Sequence, residues 1–256
     1  MTTPNYWPSL PLIPVPLRTA IEQGECVPFV GVGASVAAGL PTFERLIVPL
    51  ARDVAGEARI ETFRTASGYD LPGLAGICEE LLGRINLVTR IRKQLVGIRH
   101  EPTDIHRLLA RLKTNLYVTT NWDTLLEDAI QQVRRTSPDV IVRDDDVRLF
   151  RDNVPTVVKL HGDVNHLPEL VVTRKDYEAR VNRDRIIDNQ LTVWLASKSF
   201  LFVGYRLQDD DFQYIQRRVL DRLDRGGPVH YAVLFDDDRP ADRVGNDNVQ
   251  VLHIHV

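Results

Sequence analysis

Residues 27–43 read VPFVGVGASVAAGLPTF, and the fold is most readily deduced from this segment. Its apolar start is followed by Gly31, Gly33 and Gly39, with small residues between them and Pro41 after them. This order predicts a buried strand that ends in a turn and opens a helix. Glycine lets the backbone adopt positive φ and approach a ligand closely, and the free N–H groups at a helix start suit a diphosphate. The turn is therefore a candidate nucleotide-binding element.

The turn does not complete the dinucleotide-binding fingerprint GxGxxG, because Val36 occupies the third glycine position. Glycine is also common where two backbones cross closely, so the segment alone fits a structural turn and a phosphate site about equally well. Residues elsewhere in the chain are needed to distinguish between these two interpretations.

Apolar runs and helical patterns alternate through most of the chain. Strands are predicted at residues 116–119, 140–142, 154–160, 170–172, 200–203, 229–235 and 249–254. Helices are predicted at residues 17–25, 43–55, 103–113, 122–133, 174–181, 186–197 and 211–223. Strands separated by helices favour a parallel sheet. The predicted fold class is α/β, a Rossmann-like parallel sheet with helices on both faces and a helical insertion.

The chain divides into a short arm and one larger domain. Residues 1–16 contain five prolines and predict an extended N-terminal arm. Residues 17–256 form the α/β domain. Within it, residues at about 56–100 have apolar positions at helical spacing and no convincing strand pattern. They predict a helical insertion that caps the turn at residues 31–39.

Composition and charge narrow the functional classes. The formal net charge of -3 and the pI near 6.2 give no reason to expect direct binding to nucleic acid or a membrane surface. Cys26 and Cys78 are too few for a four-thiolate zinc site and fit reduced thiols, with a single bridge between them left open. No stretch approaches the about 20 apolar residues that span a membrane. We therefore expect a cytoplasmic protein without a metal.

Polar residues follow the predicted strands, at the edge of the sheet where ligands bind. Asn121 and Asp123 follow the strand at residues 116–119, and His161 follows the strand at residues 154–160. Asn121 or Asp123 also suits a helix cap, and His161 also suits a hydrogen-bonded turn. Because the carboxyl ends of parallel strands meet at one edge, we expect these side chains to converge.

Two later strands add further candidates. Gly204 and Tyr205 follow one strand and Asp236 follows the next, so they are expected at the same edge. His253 and His255 share one face of the last predicted strand. Without a third ligand, this pair argues against a metal site.

Five short motifs occur along the chain. They are GVGAS at residues 31–35, GLP at 39–41, TTNWD at 119–123, KLHGD at 159–163 and VGYRLQD at 203–209. In order and spacing, this set resembles the sirtuin-like (silent information regulator) superfamily. It is most similar to the bacterial branch that hydrolyses NAD in antiviral defence. The resemblance spans residues 27–235.

The resemblance implies a role for each matching residue. Asn121 would orient the nicotinamide ribose and the attacking water, and Asp123 would hold the carboxamide. His161 would contact the ribose hydroxyls and act as a base. The residues expected to bind the rest of NAD are Gly31, Gly33, Ala34 and Ser35 around the diphosphate, Gly204 and Tyr205 on the adenosine side, and Asp236 at the adenosine ribose.

Two departures from the sirtuin pattern bear on activity. Thr42 follows GLP where sirtuins usually have an acidic residue, and the zinc-binding cysteines are absent, which argues against deacylation. The predicted function is an NAD glycohydrolase that takes NAD as substrate and releases nicotinamide and ADP-ribose. An NAD-dependent protein deacylase and a non-catalytic module that senses NAD or ADP-ribose are the alternatives. The presence of both Asn121 and His161 favours catalysis over sensing.

The predicted activity also implies a means of control, because an unrestrained NAD hydrolase would harm its host. We expect a homo-oligomer, or a partner protein such as an ATPase or a nucleic-acid-guided protein. No direct contact of this chain with nucleic acid is expected.

Overall fold

A computed structural model describes residues 13–61, 70–97, 99–182, 185–205, 227–235 and 249–254. Within these ranges seven strands form one sheet with the order β3-β4-β2-β1-β5-β6-β7, and all neighbouring strands pair in parallel. The strands are β1 Cys26–Val30, β2 Leu116–Thr119, β3 Asp139–Ile141, β4 Thr156–Lys159, β5 Ser199–Val203, β6 His230–Phe235 and β7 Val249–Ile254. The predicted α/β class with a parallel sheet is confirmed.

The strand order reverses at β1, whose five residues are all buried. Val30 of β1 pairs with Thr119 of β2 on one side and with Val203 of β5 on the other. The chain completes the β2 side of the sheet before it returns to form β5. In open parallel sheets, ligands bind outside the carboxyl ends of the strands at such a switch point. The glycine turn that follows β1 lies at this place.

Helices flank the sheet and also form the segment between β1 and β2. Their bounds are α1 Val15–Gln23, α2 Val32–Val36, α3 Phe43–Ala55, α4 Leu71–Leu82, α5 Arg84–Val96, α6 Asp104–Ala110, α7 Leu125–Arg134, α8 Arg174–Asn182 and α9 Ile186–Ser197. In the part of the chain that the structure describes, no helix is long and apolar enough to cross a membrane. The predicted helix at 211–223 and residues 1–12 of the predicted arm lie outside the described residues.

Alternate residues of the strands pack on opposite faces of the sheet, as the period of a strand requires. Phe29 and Val118 belong to an apolar cluster that contains residues of α9. Tyr117 and Val157 belong to a second cluster, which contains residues of α6 and α7. Both faces are therefore covered by helices, which explains why the strands are apolar almost throughout.

The segment at residues 56–100 adds a third apolar cluster. Its helices α4 and α5 pack with α3, and Ile47, Ala75, Cys78 and Leu87 are completely or almost completely buried among them. The described residues of this segment contain helices and no strand. These helices build one wall of the pocket described below.

Two of the differences from the sequence-based prediction have local reasons. The helix predicted from residue 122 begins at Leu125, after Thr124 at its N-cap, and Asp123 Oδ1 accepts the Leu125 amide at 3.0 Å. The strand predicted at residues 170–172 is wrong. The Val171 amide donates to the His161 carbonyl at 2.9 Å, and the Val172 amide donates to Asp176 Oδ2 in the first turn of α8 at 2.9 Å. These bonds replace the ladder that a strand needs.

Both cysteines are buried free thiols. Burial raises the pKa of Cys26 to about 12 and that of Cys78 to about 11. A thiol with a raised pKa is protonated at neutral pH and is a poor nucleophile. The two cysteines therefore contribute to packing, and they do not form the bridge that the sequence left open.

The buried His230 makes the fold sensitive to acid. Its Nδ1 accepts the Phe200 amide at 3.2 Å, and burial lowers the pKa of His230 to about 4. An unfolded histidine titrates near pH 6.5, so between these values the unfolded chain binds more protons than the folded chain. The free energy of unfolding should therefore fall as the pH decreases, by about 2 kcal/mol for this group between pH 7 and pH 5.

Urea unfolding at pH 7 and pH 5 measures this dependence. The His230→Asn variant keeps a hydrogen-bond acceptor near Nδ1 but does not titrate, so it should lose less stability than the wild type on acidification. Equal losses in the two proteins would contradict the assignment.

Candidate active site

A pocket opens at the carboxyl ends of β1, β2, β4 and β5, beside the switch point. Its volume is about 240 Å³. Helices α3, α4 and α5 supply an apolar wall that includes Phe43, Leu71 and Leu95. Its lining also includes the polar side chains of Ser35, Thr120, Asn121, Asp123, His161 and Tyr205. All of these except Thr120 were predicted site residues, so the structure brings residues from four strand ends into one pocket.

Three glycines pack the turn after β1 against the end of β5. A Cβ atom at Gly31 would lie 2.6 Å from the Gly204 carbonyl oxygen, and one at Gly33 would lie 2.9 Å from the Gly204 Cα. Gly204 has φ +78°, and a Cβ atom there would lie 2.6 Å from the Ala34 nitrogen. Any side chain at these positions would push the turn away from β5. Close approach of two backbones therefore explains these glycines.

The amides of this turn already donate hydrogen bonds within the protein. Gly31 donates to the Val203 carbonyl at 2.8 Å, Gly33 to the Gly204 carbonyl at 2.9 Å, and Ala34 to the Gly31 carbonyl at 3.1 Å. In this conformation these three amides serve the structural role that the sequence left open. Their contact with a diphosphate stays a prediction.

Asn121 lies in a hydrogen-bond network on the polar side of the pocket. Its side-chain amide donates to the Gly31 carbonyl and to Ser35 Oγ, both at 3.0 Å. The Ser35 hydroxyl donates to Asp123 Oδ2 at 2.8 Å. The Asn121 side-chain oxygen accepts no hydrogen bond from the described residues. It is thus available to accept one from a water or a ligand.

Asp123 has two roles at once. Its Oδ1 accepts the amide of Leu125, the first residue of α7, although the N-cap residue is Thr124. Its Oδ2 accepts the Ser35 hydroxyl at the pocket, which places the same carboxylate in the candidate site. These two bonds fix the side chain within the pocket lining.

His161 lines the pocket although only 5% of its surface is exposed. Its ring meets the edge of Tyr177, with the ring centroids 5.2 Å apart. Burial, together with the charges of Arg180 and Arg185, holds the pKa of His161 well below its usual value. The imidazole is therefore neutral at physiological pH, and a neutral imidazole has a nitrogen that can accept a proton.

Tyr205 lines the pocket. It is 6% exposed, and its hydroxyl lies 2.7 Å from Thr120 Oγ1 and donates to the Val30 carbonyl at 3.1 Å. Its ring packs on Phe29, with the centroids 5.3 Å apart. The structure thus ties Tyr205 to the sheet, and its contact with adenosine stays a prediction.

Several predicted residues cannot be placed. Asp236 and His255 lie outside the described residues, as does the side chain of His253. Within the described ranges, no group of three or more His, Cys, Asp and Glu residues is arranged to hold a metal ion.

Sequence reasoning gave no role to Lys159, Trp122 and Tyr177. Lys159 is fully buried and donates to the main-chain carbonyl of Asp123. Trp122 lines the pocket with its ring perpendicular to Phe43, at a centroid distance of 5.7 Å. A lysine at the end of an apolar strand is itself a signal, because lysine is rarely buried without a partner. No sequence signal marks Tyr177, which lies on a helix without a motif.

The fold and the pocket define the class of protein. A parallel α/β sheet with a polar pocket at its switch point is the arrangement of Rossmann-like nucleotide-binding proteins. Residues 115–253 match the sequence model of the SIR2-like domain. Because this match covers more than half of the chain, the chain belongs to the SIR2-like family. The resemblance seen in the motifs is confirmed.

Curated relatives carry the name of one enzyme. The chain is 31% identical to the NAD(+) hydrolase ThsA of Bacillus cereus, over 90% of the chain and 47% of that protein. It is 29% identical to the ThsA of Cytobacillus dafuensis over 83% of the chain and 41% of that protein. The corresponding figures for the ThsA of Acinetobacter baumannii are 28%, 83% and 43%. The chain therefore spans less than half the length of these relatives.

Proposed function

We propose that this chain hydrolyses the N-glycosidic bond of NAD and releases nicotinamide and ADP-ribose. The observation that carries the proposal is that Asn121 and His161, on the loops after neighbouring strands, line one pocket. The names of the relatives support the same reaction. Hydrolysis needs a residue that orients a water molecule and a neutral base in the same pocket.

The N-glycosidic bond is already activated for cleavage, because the leaving nicotinamide is cationic while it is bound to the ribose. Its departure takes the bonding electron pair and leaves an oxocarbenium-like ribose, which a water attacks. The oxygen of the Asn121 side chain accepts a hydrogen bond from that water and orients it. His161 takes the proton that the water loses. The balance is NAD⁺ and water to nicotinamide, ADP-ribose and one proton.

The remaining predicted contacts form part of the same proposal. Asp123 holds the nicotinamide carboxamide, and its bond to Ser35 supports this by keeping the carboxylate at the pocket. The residues proposed to hold the diphosphate and the adenosine side of NAD are Gly31, Gly33, Ala34, Ser35, Gly204, Tyr205 and Asp236. Since the Gly31, Gly33 and Ala34 amides donate within the protein, their contact with a diphosphate requires the turn to rearrange.

We further propose that the activity serves antiviral defence in the cytoplasm. The resemblance to the bacterial branch of the family supports this, and a reaction that depletes NAD has to be restrained. Self-assembly, an ATPase or a nucleic-acid-guided partner protein would supply the restraint. Size-exclusion chromatography with light scattering, on the protein alone and with candidate partners, tests the assembly.

Nicotinamide release distinguishes hydrolysis from the two alternatives. The purified protein, with candidate partners added if it is silent alone, should convert NAD to nicotinamide and ADP-ribose in equal amounts without any peptide. A deacylase would release nicotinamide only with an acylated peptide. A sensor would be stabilised thermally by NAD without forming product. Either of these results would overturn the proposal.

A further inference from the structure

Lys159 is a buried cation next to the candidate site. It is the last residue of β4, and its side chain has no exposed surface. Its Nζ donates to the main-chain carbonyl of Asp123 and to Glu127 Oε1 at 2.8 Å, and it forms an ion pair with Asp163 Oδ2 at 2.6 Å. Lys159 therefore has three partners around its ammonium group.

Two of the three partners of Lys159 lie on the loops that carry the proposed catalytic residues, and the third, Glu127, lies in α7. Asp123 follows Asn121 by two positions in the loop between β2 and α7. Asp163 follows His161 by two positions in the loop after β4. One ammonium group therefore contacts residues of both loops.

The charges around Lys159 keep it protonated. Burial alone would lower the pKa of Lys159, but the carboxylates of Glu127, Asp163 and Asp123 outweigh this effect and raise the pKa above its ordinary value. A lysine with a raised pKa is protonated at neutral pH and does not serve as a base there. A buried ion pair is by itself weak evidence for stability, so its position between the two loops is the informative feature.

We propose that Lys159 is a positioning residue that sets the distance between Asn121 and His161. The inference rests on the proposed hydrolysis of NAD, in which one of these residues orients the water and the other takes its proton. A displacement of about 1 Å at a reacting centre lowers a rate by about 100-fold. Loss of the ammonium group would release both loops at the same time.

The Lys159→Met variant tests this role, because methionine has similar length and no charge. We expect kcat for nicotinamide release to fall by about 100-fold, with the affinity for ADP-ribose, which lacks the nicotinamide that Asp123 is proposed to hold, changed by less than about threefold. Arg134→Met is the matched control. Arg134 donates to the Ala110 and Leu112 carbonyls and to Asn115 at the opposite end of α7, so its loss should lower the melting temperature but not kcat.

Hydrogen exchange at the Val164 amide is a second measurement, which does not require enzymatic activity. The Val164 amide donates to the Trp122 carbonyl at 3.0 Å and so joins the two loops directly. Hydrogen exchange at Val164 should become at least about tenfold faster in Lys159→Met and stay unchanged in Arg134→Met. If the wild type releases no nicotinamide, the proposed function fails, while this exchange rate still decides whether Lys159 holds the loops together.

If Lys159→Met does not fold, Glu127→Gln removes one counter-charge with almost no change of shape. We expect kcat to fall by about tenfold and Val164 exchange to rise in this variant. Unchanged kcat together with unchanged Val164 exchange, in either folded variant, would overturn the proposal. So would a loss of activity that only follows the loss of folded protein, as a purely stabilising ion pair predicts.

Discussion

Replacing His161 with alanine is expected to lower kcat for nicotinamide release from NAD by about 100- to 10,000-fold, the usual contribution of a general base. The reason is that His161, in its neutral form, is the proposed acceptor of the proton that the attacking water loses. Steady-state kinetics of the folded variant measure the effect. His166→Ala is the control, because His166 lies in the same loop, is about half exposed and does not line the pocket. Its kcat should equal that of the wild type.

The pH dependence of the wild type gives a second signature of His161. Its pKa is held well below 6.5 by burial and by two nearby arginines, and the base is active in its neutral form. The fall of kcat on the acid side should therefore lie below pH 6.5. An acid limb at or above pH 6.5, or full activity of His161→Ala, would exclude His161 as the base.

Gly162→Ala is expected to cost about 4 kcal/mol of the free energy of unfolding. Gly162 has φ +88°, and a Cβ atom there would lie 2.4 Å from the Glu169 carbonyl oxygen and 2.8 Å from the Leu170 Cα. Backbone atoms cannot move aside as a flexible side chain can. The loop that carries His161 would have to shift, so activity should fall together with stability. Urea unfolding and nicotinamide release measure the two effects.

Gly56→Ala is the matched control for this substitution. Gly56 has φ +79°, but a Cβ atom there would meet no atom within 4 Å. The control should therefore cost only the strain of a positive φ, about 2 kcal/mol. Equal losses in the two variants would show that contact with residues 169–170 has no part in the effect.

Much of the fold could be predicted from the sequence, because burial on both faces leaves apolar runs that are easily recognised. Residues 116–119 were predicted as a strand with the bounds that β2 has in the structure. Residues 170–172 are equally apolar and buried, yet they form no strand, because the Val171 amide bonds to the His161 carbonyl and the Val172 amide to the Asp176 side chain. Hydrophobicity identifies buried segments, but it does not show where their hydrogen bonds go.

The polar half of the candidate site could also be predicted, since Asn121, Asp123 and His161 follow strands whose carboxyl ends meet. The other half could not. Leu71 and Leu95 come from helices separated from the motifs in sequence, and only tertiary packing places them in the pocket wall. The sequence also did not show that the glycine-turn amides donate to neighbouring carbonyls.

The most direct test of the central claim is NAD cleavage in water enriched in oxygen-18. The proposed reaction adds water to the ribose carbon that loses nicotinamide, so the ADP-ribose formed should carry the heavy oxygen, and Asn121→Ala should form almost none. Mass spectrometry of the product measures both. No nicotinamide from the folded protein with or without candidate partners, ADP-ribose without the heavy oxygen, or full activity in Asn121→Ala would contradict the account.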